Sequence, residues 1–307
     1  MFSLITKANI LKLPIDLTCE LFDKTVLPVL IYGCEIWGFS ELKDVEIFYR
    51  KFIRHLLKTF NFTPNCMLYG ELGITDINTK ILSRMVLFWA KLKFQKQEKL
   101  STILCNYLSK INEQNEYSFK WINHIRSTLD ITGFSWAWNA LDIDIHSFKL
   151  IFKQRCSDMF IQQWQADMGQ NSQCSSYVLF KKEFKTEEYW KKIEPAYAIS
   201  IAKYRTRTHH LPVTKNRFHA THDINCTLCD KDLVGDELHY LFTCNHFNGI
   251  RQRLMPLNFK LLNNSNYHEL FQQDEYDLKN LSKFVKIIMS NFKCKAKSAN
   301  GSTENHI

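Results

Sequence analysis

Residues 224–247 read INCTLCDKDLVGDELHYLFTCNHF, and this segment determines how the region around it folds. Within it, Cys226, Cys229, His239 and Cys244 follow the spacing Cys-x2-Cys-x9-His-x4-Cys. These residues form a complete set of soft ligands for one tetrahedral zinc ion, and the two cysteines of a Cys-x2-Cys pair fit on one tight turn. A segment so short and polar cannot bury a core of its own. A metal ion would therefore supply much of its folding free energy.

The long gap between Cys229 and His239 leaves the choice of histidine open. A short helix over Asp236 to Phe242 would point His239 toward the cysteines, with Cys244 just past the end of the helix. Another histidine could replace it: His246, His222 or His219. Four cysteines and histidines can also fall in such an order by chance. The spacing nevertheless favours one zinc ion, and nothing in the sequence indicates a magnesium site.

The composition predicts a globular, mainly α-helical protein. Of 307 residues, 45% are hydrophobic and 14% aromatic, while nine Gly and six Pro are too few for a fold with many turns. The formal charge of +9 favours a polyanionic partner such as RNA or DNA. Most other cysteines stand singly among apolar residues, which is typical of free thiols in a reducing compartment. We find no signal peptide or membrane span, and expect an intracellular protein of the nucleus or cytoplasm that is not secreted.

Apolar residues recur at helical spacing along most of the chain, most regularly from Asp76 to Phe94. Asp142 and Asp144 precede such a helix, so N-capping is a better interpretation of them than metal binding. The polar run from Asp167 to Ser176 is predicted to be a loop. The pattern divides the chain into a helical region (1–95), a helical connector (96–176), a basic segment with the zinc knuckle (177–260), C-terminal helices (261–292) and a disordered tail (293–307).

Basic side chains cluster in two places that could contact phosphates. One lies on the polar side of the helix predicted over Lys43 to Thr59, and the other flanks the cysteine segment. The alternative is an ordinary solvated surface. The residues predicted to contact nucleic acid are Arg54, Lys58, Arg205, Arg207, His210, Lys215, Arg217 and Arg251.

Motifs of the common catalytic centres are absent from the sequence. It has no adjacent Asp-Asp pair, no phosphate-binding Gly-x4-Gly-Lys loop, no Gly-x-Ser-x-Gly and no His-Glu-x-x-His. Nothing in the spacing selects a Cys/His nucleophile pair either. We therefore expect no enzymatic activity of its own and no small-molecule substrate.

Three blocks, in order, resemble the C-terminal portion of non-LTR (LINE-type, Jockey-like) retrotransposon reverse transcriptases. The similarity covers roughly residues 15 to 95 and 177 to 255. The blocks are LFDKTVLPVLIYGCEIWGFS, then TPNCMLYGELGITDI with the helix containing MVLFWAKL, and finally KYRTRTHHLPVTKNRF with CTLC, DELHYLFTC and Arg251.

The resemblance implies a thumb-like helical domain in 1–95 that grips a template–primer duplex, and a Cys/His knuckle that binds element RNA or target DNA. In that family the magnesium-binding aspartates belong to a palm upstream, which this sequence lacks. The resemblance therefore implies a nucleic-acid-binding fragment without catalytic residues. It also predicts an exposed apolar surface along Leu13 to Leu30, where a palm would pack.

The sequence leaves other hypotheses open. The chain could contribute to RNA-directed DNA polymerase activity together with a separate palm. It could instead be a zinc-dependent protein-interaction scaffold, or a non-functional remnant of a transposable element. The sequence does not distinguish RNA from DNA, or indicate an oligomeric state.

Overall fold

The computed structural model describes residues 2–11, 13–40, 42–94, 99–114, 117–215 and 223–292, and these are mainly helical, as the composition predicts. Among them the only β-structure is a single antiparallel bridge between Asn225 and Val234. No helix in the described ranges is both long enough and apolar enough to cross a membrane. The predicted disordered tail, 293–307, lies outside the described residues.

The helices are short, apart from α5, α7, α8, α9, α11 and α17. Their bounds are α1 Phe2–Ile10, α2 Ile15–Thr25, α3 Leu27–Leu30, α4 Cys34–Trp37, α5 Lys43–Leu57, α6 Asn65–Leu72, α7 Ile77–Phe94, α8 Leu100–Glu113, α9 Lys120–Thr132, α10 Trp136–Asn139, α11 Ile145–Gln170, α12 Ser175–Phe180, α13 Tyr189–Lys192, α14 Pro195–Arg205, α15 Pro212–Lys215, α16 Asn248–Leu254 and α17 Glu275–Asn291. Single turns of 3-10 helix cover Ser172–Cys174, Asn245–Phe247, Leu257–Leu261 and Tyr267–Phe271, and a π-helical turn covers His239–Thr243.

Helix α7 lies at the centre of the N-terminal half. It packs against α4, α5, α8, α9 and α11. Its residues Ile77, Ile81, Met85 and Trp89 are buried at the predicted helical spacing. Burial of Val86 and Ala90 as well shows that α7 is covered on more than one side, as befits a helix with several helical neighbours.

One continuous hydrophobic cluster runs from Ile5 near the N-terminus to Phe292 near the end of α17. Each of the four segments predicted between residues 1 and 292 contributes buried residues to this cluster. The boundaries between those segments stay a prediction. The apolar surface expected along Leu13 to Leu30 is only partly exposed. Leu17 and Val29 are exposed there, whereas Ile15, Phe22 and Leu27 are buried by the chain itself.

Two local predictions can be compared directly with the structure. Asp144 caps α11, as predicted, because its carboxylate accepts hydrogen bonds from the amides of His146 and Ser147, both at 3.1 Å. The predicted loop over Asp167 to Ser176 is wrong. Helix α11 continues through Gln170 and a 3-10 turn follows, since Trp164 and Met168 bury an apolar face that the polar neighbours conceal in the sequence.

Arg205, at the end of α14, is fully buried and forms ion pairs with two carboxylates. Its Nε lies 3.0 Å from Glu71 Oε1 on α6, and its Nη1 lies 3.0 Å from Glu187 Oε2. Lys181 Nζ lies 2.5 Å from the other oxygen of Glu187, so two cations face two anions. Burial lowers the pKa of Arg205, but Glu187 and Glu71 raise it by more, which keeps the guanidinium charged. The network joins α6 to the segment that precedes the cysteines.

Removing Arg205 should cost far more than removing a surface cation. We expect Arg205→Met to lower the free energy of unfolding by about 3–5 kcal/mol, because Glu71 and Glu187 would stay buried with one cation between them. Lys24→Ala is the control, since the Lys24–Glu20 pair on α2 is exposed and such pairs contribute about 0–1 kcal/mol. Urea unfolding at pH 7 measures both. Equal losses in the two variants would contradict a structural role for the buried network.

Candidate metal centre and basic groove

Cys226, Cys229, His239 and Cys244 converge at one point. One ligand atom from each lies within 4.8 Å of the others. The sulfurs of Cys226 and Cys244 are 3.9 Å apart, and Cys229 Sγ is 3.5 Å from His239 Nε2. A tetrahedral zinc ion with ordinary bond lengths requires edges of about 3.8 Å between sulfurs and about 3.5 Å between sulfur and nitrogen. The four side chains therefore fit one such ion, with His239 as the histidine.

The ring of His239 is oriented for coordination through Nε2. Thr243 donates its hydroxyl hydrogen to His239 O at 3.3 Å, and its oxygen lies 2.9 Å from His239 Nδ1. The Nδ1–H can thus donate to Thr243, which leaves the lone pair of Nε2 directed at the cysteines. Burial lowers the pKa of His239, so the neutral form that binds metal is favoured near pH 7.

The thiols differ in how readily they ionise. Burial raises the pKa of Cys244 to about 12. For Cys226 burial also raises the pKa, but neighbouring hydrogen-bond donors, among them the amide of Leu228 at 3.4 Å, lower it by more. A divalent cation would deprotonate the coordinating thiols, and metal binding should accordingly release protons.

Short backbone elements place the ligands. The amide of Cys226 donates to Leu233 O at 2.7 Å and that of Gly235 donates to Ile224 O at 2.7 Å, which closes a small ribbon around the Cys-x2-Cys turn. A side chain at Gly235 would lie within 2.8 Å of both the Tyr240 hydroxyl and Pro212. Glycine is therefore required there for close packing. The helix expected over Asp236 to Phe242 is present as a π-helical turn, His239–Thr243, with Asp236 accepting from the His239 amide at 2.7 Å.

Arg251 is buried within the metal module and stabilises it through hydrogen bonds. Its predicted role as a phosphate contact is therefore wrong. The side chain is buried, and its guanidinium donates to the carbonyl oxygens of Leu241 at 2.6 Å, Tyr240 at 3.1 Å and Cys244 at 2.9 Å. These carbonyls end the turn that carries His239. Arg251 satisfies them in place of water.

Arg205 and Arg207 are likewise buried, so their predicted phosphate contacts are wrong. Arg205 belongs to the network described above. Arg207 Nε lies 3.0 Å from Glu237 Oε1, and His209 Nε2 approaches the same oxygen at 3.0 Å. Ser176 donates to Glu237 Oε2 at 2.6 Å. Because Glu237 precedes His239 by two residues, these contacts anchor the metal module to α12 and to the segment that follows α14.

Several other predicted residues lie apart from the metal centre or outside the described residues. His246 is exposed and lies outside the set of converging ligands, although it was a candidate alternative to His239. Lys215 is partly exposed at the end of α15. His219, His222 and Arg217 lie outside the described residues.

Arg54, Lys58 and His210 come together around what we call the basic groove. It consists of two cavities of about 510 and 630 Å³ that share Lys58, and no Asp or Glu of the described residues lines either one. A third cavity beside Lys58 does include one carboxylate, Glu194. The basic and aromatic residues of the groove are Lys51, Arg54, His55, Lys58, Phe60, Lys203, His209, His210 and Lys286.

Lys58 occupies a strained position in this groove. It follows α5 with a φ of +53°, in the left-handed region that residues with side chains rarely adopt. Arg54 is partly engaged, since its Nη2 donates to Asn65 Oδ1 at 2.7 Å and Thr63 O at 3.2 Å. Its partners are neutral, so its charge remains uncompensated by these contacts.

Phe60 and His210 form an aromatic wall in the groove. Their ring centroids are 5.5 Å apart, and the rings of Phe60 and Phe62 are 4.9 Å apart. Burial first, then the charge of Lys215, lowers the pKa of His210, so it presents a neutral ring near pH 7. Neither Phe60 nor Lys286 of α17 was among the residues predicted to contact nucleic acid. Only the packing of α5, α14 and α17 shows that they share a surface.

Comparisons with known proteins provide no further assignment. No protein-family model matches the chain, and searches of curated proteins and of solved structures found no significant match. The resemblance to retrotransposon reverse transcriptases thus stays a prediction that rests on the sequence blocks alone.

We expect the folded protein to bind one Zn²⁺ or Co²⁺ per chain. Cys226→Ser, His239→Ala and Cys244→Ser should each weaken metal binding by at least the roughly 10–100-fold that loss of an outer-shell partner costs. Cobalt absorption, with zinc competition, measures this, and His246→Ala is the matched control. If His246→Ala lost the tetrahedral cobalt spectrum while His239→Ala kept it, the assignment of His239 as the fourth ligand would be wrong.

Glu237→Gln should destabilise the protein in a pH-dependent way. Burial raises the pKa of Glu237, but hydrogen bonding to His209 and the charge of Arg207 lower it to about 2, below the ordinary value of 4.5. The stabilisation from ionised Glu237, about 3 kcal/mol, is complete above pH 4.5 and is lost as pH falls toward 2. The difference between wild type and variant in urea unfolding should thus be constant from pH 7 to 5 and shrink below pH 4.5.

Two controls accompany that measurement. Glu275→Gln removes an exposed carboxylate on α17 and should change little at any pH. The cobalt spectrum, recorded at each pH, separates metal release from titration of Glu237. A stability difference for Glu237→Gln that grows as the pH falls would contradict the depressed pKa.

Proposed function

We propose that this protein is a zinc-stabilised nucleic-acid-binding protein that takes single-stranded RNA or DNA along the basic groove. On the sequence resemblance, we further propose that it corresponds to the thumb and knuckle portion of a non-LTR retrotransposon reverse transcriptase. The observation that carries the proposed function is the pair of adjoining cavities, which lysine, arginine and histidine side chains line without any carboxylate from the described part of the chain.

Charge supports a phosphate ligand in the groove. Lys51 and Lys58 engage in no ion pair with the carboxylates of the described residues, whereas Lys24, Lys80 and Lys279 each pair with one. Lys286 lies 4.8 Å from the ring centroid of Tyr197 and likewise has no carboxylate partner in the described part of the chain. Cations left uncompensated along one groove release counterions when phosphates bind.

Aromatic surface supports single strands over duplex. Phe60 and His210 face the groove together, and unpaired bases stack on such rings regardless of their identity. The bases of a duplex are already stacked on one another and would have to unpair to reach them. The same argument predicts little sequence preference.

The zinc centre has a structural role in this proposal. Four protein ligands close the coordination shell, and a catalytic zinc site would keep one position for water or substrate. Glu237 ties the module to Arg207 and His209 beside the groove, and Arg251 ties it to α16, which packs against α17. Metal binding would then support the groove indirectly by fixing α14 and its neighbours.

A second candidate function is protein docking, which one observation favours. Helix α8 exposes Leu100, Ile103, Leu104 and Tyr107, which recur at the spacing of one helical face. An exposed apolar stripe of this kind marks interaction surfaces. Binding through it should change little with salt concentration, whereas binding of phosphates should weaken steeply as salt rises.

The Lys58→Gly variant should weaken nucleic-acid binding without lowering the stability of the fold. Glycine removes the charge at the centre of the groove and relieves the left-handed backbone, so the free energy of unfolding should rise, by up to about 1 kcal/mol. Affinity for a fluorescent oligo(dT) or oligo(U) should fall nonetheless, and the slope of log K against log salt should decrease by about 1. Fluorescence anisotropy over a salt series measures both quantities.

Lys149→Ala is the control, since Lys149 is exposed on α11 and lines neither cavity of the groove. It removes the same charge and should leave the salt slope unchanged. Equal losses of affinity in Lys58→Gly and Lys149→Ala would show that only net charge matters. Absence of binding by wild type at low salt would rule out the proposed function.

A further inference from the structure

Two cysteines that belong to no metal site lie side by side in the interior. Cys66 Sγ and Cys174 Sγ are 3.4 Å apart although the residues are separated by 108 positions in the chain. Cys66 is in the first turn of α6 and Cys174 ends the 3-10 turn Ser172–Cys174. A disulfide requires sulfurs about 2.0 Å apart, so an approach of about 1.4 Å would join them.

Only one of the two thiols borders a route from solvent. Cys66 lines a cavity of about 210 Å³ whose other walls include the polar side chains of Asn65, Gln163 and Asp167. Cys174 is fully buried behind it, against Tyr177 and Trp164. A small polar reagent that enters the cavity therefore meets Cys66 first.

The pKa of Cys66 also favours reaction, in contrast to those of Cys156 and Cys105. The hydrogen bond with Cys174 lowers the pKa of Cys66, although burial opposes it, and the amide of Met67 lowers it further. Burial instead raises the pKa of Cys156, to about 11, and that of Cys105. Thiolate character and access together select which cysteine is oxidised.

We propose that Cys66 and Cys174 form a reversible dithiol–disulfide pair in which Cys66 reacts with a small hydroperoxide and Cys174 resolves the product. The assignment rests on the short sulfur–sulfur distance, on the cavity that reaches Cys66 alone, and on the burial of Cys174 behind it. It does not depend on the proposed nucleic-acid ligand or on the metal centre.

The chemistry is balanced by one equivalent of hydrogen peroxide. The Cys66 thiolate attacks a peroxide oxygen, the O–O bond breaks, and the departing hydroxide takes up a proton to form water, which leaves Cys66 as a sulfenic acid. The sulfur of Cys174 then attacks Cys66 Sγ and loses its proton, while the S–O bond breaks and hydroxide departs as a second water. Two thiols are oxidised by two electrons and the peroxide is reduced by two. A thiol reductant reverses the bond by exchange.

The bond would fasten the start of α6 to the turn before α12. Asn65, the neighbour of Cys66, accepts the hydrogen bond from Arg54 at the edge of the basic groove. Oxidation would thus restrict the segment that positions Arg54. The melting temperature of the oxidised protein should rise, since the cross-link closes a long loop of the unfolded chain.

The test uses the full-length, zinc-saturated protein and hydrogen peroxide as the probe. After peroxide, free thiols are blocked with an alkylating reagent, and peptides are analysed by mass spectrometry without reduction. We expect a Cys66–Cys174 cross-linked peptide that disappears with dithiothreitol, with Cys156 alkylated as before. If Cys66 and Cys174 remained as alkylatable as Cys156 throughout, the proposal would be overturned.

Two serine variants assign the order of the steps. In Cys174→Ser, dimedone should trap a sulfenic acid on Cys66 at least about tenfold more than on Cys156, because no resolving thiol remains. In Cys66→Ser, Cys174 should stay reduced, since it lacks access to the cavity. Dimedone labelling of Cys174 in Cys66→Ser at the rate seen for Cys66 would overturn the assigned roles. If a variant folds poorly, the cross-linked peptide from the wild-type protein still tests whether Cys66 pairs with Cys174.

Discussion

The structure depends on two buried arginines, Arg205 and Arg207, which lie two positions apart in the chain and pair with carboxylates in different parts of the molecule. Arg205 is paired with Glu71 and Glu187 in the helical body, and Arg207 is paired with Glu237 beside the metal ligands. Buried cations are tolerated only where carboxylates and hydrogen bonds replace water. The segment between α14 and α15 can therefore adopt only a conformation in which both pairs form at once. That requirement fixes the metal module relative to the helices.

The metal centre adds what these ion pairs cannot. In the ribbon Leu233 and Val234 are exposed, so packing alone provides little to order it, whereas the π-helical turn buries Tyr240 and Leu241 in the core. A tetrahedral ion would join both halves of the module through four bonds. Arg251 complements it from the other side by binding the carbonyls that end the His239 turn. Zinc would orient the ligands, and the buried charges determine where the module sits.

The features that sequence reasoning identified are those encoded locally. Helix α7, the cap at Asp144 and the four ligands follow from spacing within a single segment. The roles of Arg205 and Arg207 do not, because a buried arginine and an exposed one look alike until the carboxylate partner on another element is known. The same reason hid the contact of Cys66 with Cys174. The extension of α11 beyond Trp164 was missed because Met168 is the only buried residue in it and its neighbours are polar.

Burial of these arginines also changes where a polyanion could bind. A basic run next to a zinc knuckle invites the view that the knuckle and its flanks touch nucleic acid by themselves, but the charges of Arg205, Arg207 and Arg251 are neutralised or occupied internally. The cations that line the groove together come mainly from α5, α14 and α17, which are distant in sequence. A surface assembled in this way exists only in the folded chain. Binding to it would therefore depend on the integrity of the whole helical body, with the metal centre contributing through the position of α14.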